Sequence, residues 1–272
     1  MKEFWKNNYQ GLEKFGWDVE LFARRLLPSV MSKSVLELGC GNGLLSLNLA
    51  SSASSVTGVE FAPEVADMAK RNVLQSEHAD RVTIVEDDIL KLDLQQRFDV
   101  ICGTAIIHEI NEADYDRLIE VLQRHLAPGG FIVFMENNFF NPFYRFVRKH
   151  MVGRFGLRKV GSADETPFDP QRWVILKSTF RFAERRGDIF VLFDRMWFQF
   201  FHYRLEPHWA SLAKHLGSTA TRIDRFVSAR IGHNPVTLYW TWVPLLYLSK
   251  DSSYEQTFPK APESTTRLIR GS

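Results

Sequence analysis

Between Ser34 and Met135 the apolar positions follow one rhythm: runs too short for a helix alternate with stretches of helical spacing. Val35, Leu36 and Leu38 form the first run, and Leu44 to Ala50 resumes with helical spacing after a glycine-rich break. Further strands are expected at Ser55–Glu60, Val82–Val85, Asp99–Gly103 and Phe131–Met135. Helices are expected from Pro63 to about Leu74, with proline in the first turn, and from Glu112 to about Leu126, capped by Asn111 and ended by Pro128-Gly129-Gly130. Such alternation predicts a parallel sheet with helices on both faces, whose ligands bind beyond the carboxyl ends of the strands. Ahead of it, apolar residues from Phe4 to Leu27, interrupted by Gly11 and Gly16, predict two short helices that pack on the sheet edge or cover its mouth, with Tyr9 and Trp17 as residues that could reach in.

The break after the first strand reads Glu37-Leu38-Gly39-Cys40-Gly41-Asn42-Gly43. Glycines there allow positive φ and let a ligand approach main-chain N–H groups that no Cβ shields, at the start of a helix. A dinucleotide fingerprint requires G-x-G-x-x-G, whereas this turn is G-x-G-x-G, which disfavours a nicotinamide oxidoreductase. Glu60 ends the second strand about 20 residues beyond the turn, where a carboxylate can accept hydrogen bonds from ribose hydroxyls, and Phe61 beside it could stack on a base. Asp87, Asp88 and Ile89 follow the third strand; Gly103 and Thr104 end the fourth.

Glu37, Gly39, Gly41 and Gly43 match the first motif, (D/E)-x-G-x-G-x-G, of the class I S-adenosylmethionine (SAM)-dependent methyltransferases, which this chain resembles over roughly residues 30–137. Val85-Glu86-Asp87-Asp88-Ile89, Phe98-Asp99-Val100-Ile101 and Leu126-Ala127-Pro128-Gly129-Gly130 extend the resemblance. It implies a Rossmann-like α/β fold with a seven-stranded, mostly parallel sheet, helices on both faces, and SAM as cofactor. The implied cofactor-binding set is Glu37, Gly39, Cys40, Gly41, Gly43, Glu60, Phe61, Asp87, Asp88, Ile89, Gly103 and Thr104, with Asp88 aligned best to the carboxylate that takes the adenine amino group. His108 and Glu109 fall at the loop rim where the methyl group would be presented, so His108 is a candidate base, with an alternative role in capping or orienting that loop. Asn141-Pro142-Phe143-Tyr144 is similar to the signature of amino-methylating nucleic-acid methyltransferases but follows the wrong strand and lacks the second proline; it is expected to open a helix.

Charge changes the picture of the second half. The net charge of +2 divides into −8 over residues 1–136 and +10 over residues 137–272, and 25 of the 36 aromatic residues lie in the second part. From Phe139 to Lys159 basic and aromatic residues interleave with no acid; helical spacing puts Phe139, Phe143, Phe146 and Val147 on one stripe flanked by Arg145, Arg148 and Lys149. That stripe faces either the core or an anionic surface such as lipid head groups. Strand six is expected over Phe180–Phe193 and strand seven over Thr237–Leu248, separated by a helical, aromatic-rich insertion from Asp194 to Gly232 that carries His202 and His208, two further catalytic candidates. The two cysteines, Cys40 and Cys102, have no metal-ligand spacing, so no metal is expected.

The expected organisation is an N-terminal helical lid over 1–30, a SAM-binding core over 31–137, an acceptor-binding elaboration with strands six and seven over 138–250, and a flexible tail over 251–272. The expected activity is methyl transfer to a small-molecule or lipid-linked acceptor, most readily at oxygen; the alternative is a SAM-binding regulatory or partner-binding module without catalysis. No apolar leader and no uncharged run near the roughly 20 residues of a spanning helix is present, so a cytoplasmic protein is expected, either free or peripheral at the inner face of a membrane. Nucleic acid is not an expected partner, and the oligomeric state is left open.

Overall fold

Backbone N–H and C=O groups in a sheet covered on both faces must pair with neighbouring strands, and here they do so in the order β3-β2-β1-β4-β5-β7-β6. The computed structural model describes residues 16–154, 168–198, 201 and 203–252, apart from the side chains of 16–18 and 203–208. The strands are β1 (Ser34–Leu38), β2 (Ser55–Glu60), β3 (Val82–Glu86), β4 (Phe98–Thr104), β5 (Leu126–Met135), β6 (Phe182–Arg186) and β7 (Leu245–Ser249). β1 sits between β2 and β4 in parallel register, Glu37 opposite Gly58 on one side and Cys102 on the other. Val35, Leu36 and Leu38 are all buried, as a strand sealed on both faces requires. Strand order reverses beside β1, the switch point where such sheets open a crevice.

The crossovers are α2 (Leu44–Ala50), α3 (Pro63–Leu74) and α4 (Tyr115–His125), preceded by α1 (Gly16–Val30). In α1, Phe22, Ala23, Leu26 and Val30 recur on one face and are buried. α1 occupies the stretch of the second expected leader helix; the stretch of the first lies outside the described residues, as do Tyr9, the Trp17 side chain and nearly all of the 251–272 tail. β5 begins at Leu126 and not at Phe131, because Pro128-Gly129-Gly130 forms an irregularity inside the strand, opposite the register shift between Phe98 and Val100. Gly130 has no room for a side chain there: a Cβ would lie 2.8 Å from the Asp99 carbonyl oxygen.

The chain divides into two compact units. The first comprises residues 1–136, 161–184 and 246–258, and holds the sheet except for the end residues of β6 and β7. It also holds α6 (Pro170–Thr179), capped by the Asp169 carboxylate.

The second unit comprises residues 137–160, 185–245 and 259–272 and is helical, with α5 (Pro142–His150), α7 (Phe193–Trp197), α8 (Tyr203–Arg230) and α9 (Pro235–Trp240). Asn141 opens α5 by accepting the Phe143 N–H at 2.8 Å. The Asn138 amide donates to the carbonyls of Leu238, Tyr239 and Thr241, fixing the end of α9. Two expectations fail in this unit. Strand six stops at Arg186 because at Gly187 the chain meets α9, with a Cβ position only 2.5 Å from the Leu238 nitrogen. Strand seven starts at Leu245 and not at Thr237, because Asn234 and Thr237 make a reciprocal capping box behind Pro235, and that local signal starts a helix.

The start of α7 depends on a single side chain. Asp224 of α8 is buried and accepts hydrogen bonds from the main-chain N–H groups of Leu192, Phe193 and Asp194. Burial raises its pKa to about 6, against the lowering effect of those donors. Asp224→Ala leaves three amides without their acceptor, and thermal or chemical melts should show a loss of about 2 kcal/mol or more. An unchanged midpoint would mean that α7 is held by its apolar contacts alone.

Candidate functional site

The turn that follows β1 is shaped by its glycines. Gly39, Gly41 and Gly43 have φ of +67°, +55° and +81°, a region costly for residues with a Cβ. Gly39 is also crowded, since a Cβ would meet Ile106 Cδ1 at 2.7 Å. The turn is tied down by Cys40 N–H donating to the Val59 carbonyl and Gly43 N–H donating to the Cys40 carbonyl, each at 2.9 Å. Asn72 of α3 donates to the Asn42 carbonyl.

Two buried carboxylates, Glu60 and Glu37, stand at this turn and in the strand that leads into it. Glu60, at the end of β2, accepts the Gly41 N–H at 3.1 Å and the Ala62 N–H at 3.0 Å. Burial raises its pKa while those donors pull it down. Each carboxylate oxygen has a second lone pair, so the geometry leaves acceptor capacity at the carboxyl end of β2. Glu37 differs: only 1 % exposed, it lies in β1 and accepts a hydrogen bond from the Ser46 hydroxyl of α2. Burial raises its pKa to about 8, so it is largely protonated at neutral pH. Gly58, opposite Glu37 in β2, makes room for this packing, because a Cβ there would fall 2.9 Å from both Cys40 Cβ and Ser46 Oγ.

The other residues of the expected cofactor set are divided between open and packed positions. Asp87 accepts the Asp88 N–H, and Asp88 caps the turn Ile89–Lys91 through the Leu90 N–H, with Lys91 3.7 Å away. Both carboxylates and Phe61 are partly exposed, whereas Cys40 and Ile89 are buried. Gly103 serves packing: a Cβ would lie 2.7 Å from the Leu38 carbonyl oxygen and 3.1 Å from Ile106 Cγ2. Thr104 follows it at the strand end, half-buried.

His108 belongs to a buried polar cluster. Its Nδ1 lies 2.7 Å from Glu136 Oε2, immediately beyond β5, while Glu136 Oε1 accepts the N–H groups of Ile106 at 2.7 Å and Ile107 at 2.6 Å. His108 Nε2 is 3.7 Å from Glu109 Oε1. Ala105, at φ +55°, makes the sharp turn that delivers this loop, and its N–H donates to the Met135 carbonyl. Tyr115 of α4 donates to the Ile107 carbonyl at 3.4 Å and lies against the buried Arg172 guanidinium. A carboxylate at Nδ1 requires a donor there, so the neutral ring carries its proton on Nδ1 and a lone pair on Nε2. Sequence reasoning missed Glu136; an acid directly after an all-apolar strand was the available signal. Of the other catalytic candidates, His202 lies outside the described residues, and so does the side chain of His208 in α8.

The family model described as a methyltransferase domain matches residues 35–130, the span from β1 through the glycines of β5. Over those residues the chain is similar to a methyltransferase domain. The chain is 32% identical over 143 residues to an uncharacterized methyltransferase of Bacillus cytotoxicus, covering 50% of this chain and 65% of that protein. It is 32% identical over 142 residues to a ubiquinone biosynthesis O-methyltransferase of Coxiella burnetii, covering 52% of this chain and 58% of that one. The chain thus spans less than two thirds of the length of either relative. Among solved structures, the glycopeptide N-methyltransferase MtfA complexed with SAM is similar at 28% identity and a TM-score of 0.40, covering 42% of this chain and 53% of MtfA. All these matches fall short of the whole chain, and the span 35–130 includes the glycine turn, Glu60, Asp87, Asp88 and His108 but not Glu136 or the helical unit.

The first unit should report Glu37 through pH. A carboxyl raised to about 8 on folding, from about 4.5, holds its proton more tightly when folded. Its contribution to stability is full below pH ~4.5 and is lost as pH rises through about 8. Glu37→Gln, still able to accept from Ser46, should flatten that fall in ligand-free denaturant titrations between pH 5 and 9. Parallel curves for variant and parent would place the Glu37 titration elsewhere.

Proposed function

We propose that the protein is a SAM-dependent methyltransferase that methylates a small-molecule or lipid-linked acceptor at oxygen. The observation that carries this reading is the turn of three positive-φ glycines braced by Glu60, within the span similar to a methyltransferase domain. The residues fit the cofactor: the turn gives main-chain access without Cβ atoms, Glu60 has acceptor capacity for ribose hydroxyls, and Asp88 or Asp87 offers a carboxylate for the adenine amino group. SAM, when bound, supplies a methyl group already activated by the sulfonium. The chain has then to align the acceptor in line, exclude water and receive a proton.

His108 is the residue suited to receive it. With Nδ1 held by Glu136, Nε2 is the basic nitrogen, and the imidazolium formed on taking the acceptor's hydroxyl proton lies between Glu136 and Glu109. A hydroxyl acceptor needs such a base more than an amine does, and this favours oxygen. The N-methyltransferase name of MtfA and the O-methyltransferase name of the Coxiella burnetii relative belong to those proteins.

An anionic membrane surface is assigned to the second unit. Phe143 and Phe146 of α5, expected on the stripe with Phe139 and Val147, are 45% and 57% exposed, while Tyr144 and Val147 form the buried face. Their neighbours Arg145, Arg148 and Lys149 make that side cationic. No helix among the described residues is long and apolar enough to cross a membrane, so the proposed association is peripheral.

Calorimetry tests the cofactor. SAM should bind the parent; Glu60→Ala should weaken binding by about 1–3 kcal/mol, and Gly41→Val should abolish it by forcing a Cβ into a left-handed turn. NADH binding, or undiminished SAM binding in Gly41→Val, would remove the assignment.

Kinetics with a panel of acceptors tests the base. His108→Ala should lower kcat about 100-fold or more with SAM affinity nearly unchanged. Glu136→Gln is sharper, because its carbonyl oxygen can still accept from Ile106 and Ile107 while its NH2 faces Nδ1 and moves the ring proton to Nε2. It should lose about as much as His108→Ala while melting like the parent. Turnover at the parental rate in both variants would leave His108 and Glu136 as loop supports.

A further inference from the structure

We infer that one face of α8 is a membrane-docking surface that lies on anionic lipid. This rests on the peripheral-membrane reading above and assigns the contact to a different helix. In α8, Leu212, Leu216, Ile223 and Phe226 follow one another at steps of four, seven and three residues, with Thr219 completing the series, and Trp209 stands at a non-helical kink (φ −142°, ψ 52°) just ahead of them. That spacing aligns the four on one side of the helix over about four turns. Side chains at such positions in a globular unit face the core. Here the four face outward, with exposures of 45% for Leu212, 38% for Leu216, 42% for Ile223 and 61% for Phe226, and Trp209 at the kink is 63% exposed. The buried side of the helix is a different one, marked by Ala213 at 3% and Asp224 at 0%.

Charge decides what covers this face. The exposed ionisable residues from Trp209 to Arg230 are Lys214, His215, Arg222, Arg225 and Arg230, and the single acid in that span is the buried Asp224. Arg230 lies over the Phe226 ring at 5.4 Å, so cation and apolar stripe share one surface. A second copy packed along the same seam would bring basic residues against basic residues, which disfavours self-association. An anionic bilayer meets both features, taking the aromatic and aliphatic side chains at the level of the acyl boundary and the Lys and Arg side chains at the head groups. Each basic residue close to such a surface strengthens binding roughly fivefold. The helix lies along the surface and does not span it, since no helix among the described residues is apolar enough to cross.

The test uses the full chain with vesicles of phosphatidylcholine alone or mixed with phosphatidylglycerol, in flotation and in fluorescence with brominated acyl chains. Binding should require phosphatidylglycerol and weaken with salt, and brominated lipid should quench Trp209, so that Trp209→Phe loses a large part of the quenching. Leu216→Glu/Phe226→Glu, both at exposed positions, should reduce partitioning roughly tenfold or more at parental thermal stability. Leu216→Ile/Phe226→Leu should restore it. If the parent binds and the Glu variant binds equally, the α8 assignment is overturned and the membrane reading stands. Loss confined to a triple Glu variant of Arg145, Arg148 and Lys149 would then put the contact on α5. If the parent stays unbound at low salt, both fail. A salt-stable dimer that the same Glu pair dissociates, with no vesicle binding, would make a second copy the occupant.

Discussion

A carboxylate placed inside a sheet sealed on both faces has to find N–H or O–H donors there or give up its charge. The first unit of this protein is organised by that constraint at three points, all at or near the carboxyl ends of central strands. Glu60 meets it with the main-chain N–H groups of Gly41 and Ala62. Glu136 meets it with Ile106, Ile107 and the His108 ring. Glu37 meets it only through Ser46, and its pKa rises to about 8. For Glu60 and Glu136 the amide donors belong to turns that apolar packing alone would leave loosely specified, whereas Ser46 sits on α2. Those two acids therefore convert the ends of their strands into fixed turns.

The strand–turn–helix beginning at Ser34 was legible from sequence because its signals are local: a short apolar run, glycines and a resumed helical period. The same holds for β2, α3 and the cap at Asn141, where Pro142 and the Asn side chain act within two residues. What failed depended on distant partners. β6 is cut short where Gly187 meets the backbone at Leu238, some fifty residues away in the chain. Strand seven is the exception: the Asn234–Thr237 capping box is local, and it starts α9 inside an apolar run that reads as a strand.

The site divides along the same line. Gly39, Gly41, Gly43 and Glu60 carry their roles in a spacing pattern, and the structure gives the three glycines positive φ. Gly103 and Gly58 could not be assigned from pattern alone, since their lack of a side chain answers to Leu38, Cys40 and Ser46 in other elements. Glu136 was hidden for a related reason: it ends a strand, and nothing local says that its two oxygens will be shared between a histidine ring and two amides of the loop after β4. Phe143 and Phe146 show the limit of periodicity, which finds a stripe but not the side that is covered.

Glu136 also bears on how such a site can change in evolution. One carboxylate both sets which nitrogen of His108 carries the proton and holds the main chain of the loop on which His108 sits. The ring cannot lose its Nδ1 partner without the loop losing an acceptor for two buried amides, unless the replacement retains a carbonyl oxygen in the same place. Methyl transfer from a sulfonium rewards alignment first and proton acceptance second, so an acceptor already ionised or nucleophilic would still react if the loop kept its position. Gln at position 136 would therefore keep the loop while giving up the Nδ1 proton of His108. Loss of the side chain altogether would cost both functions at once.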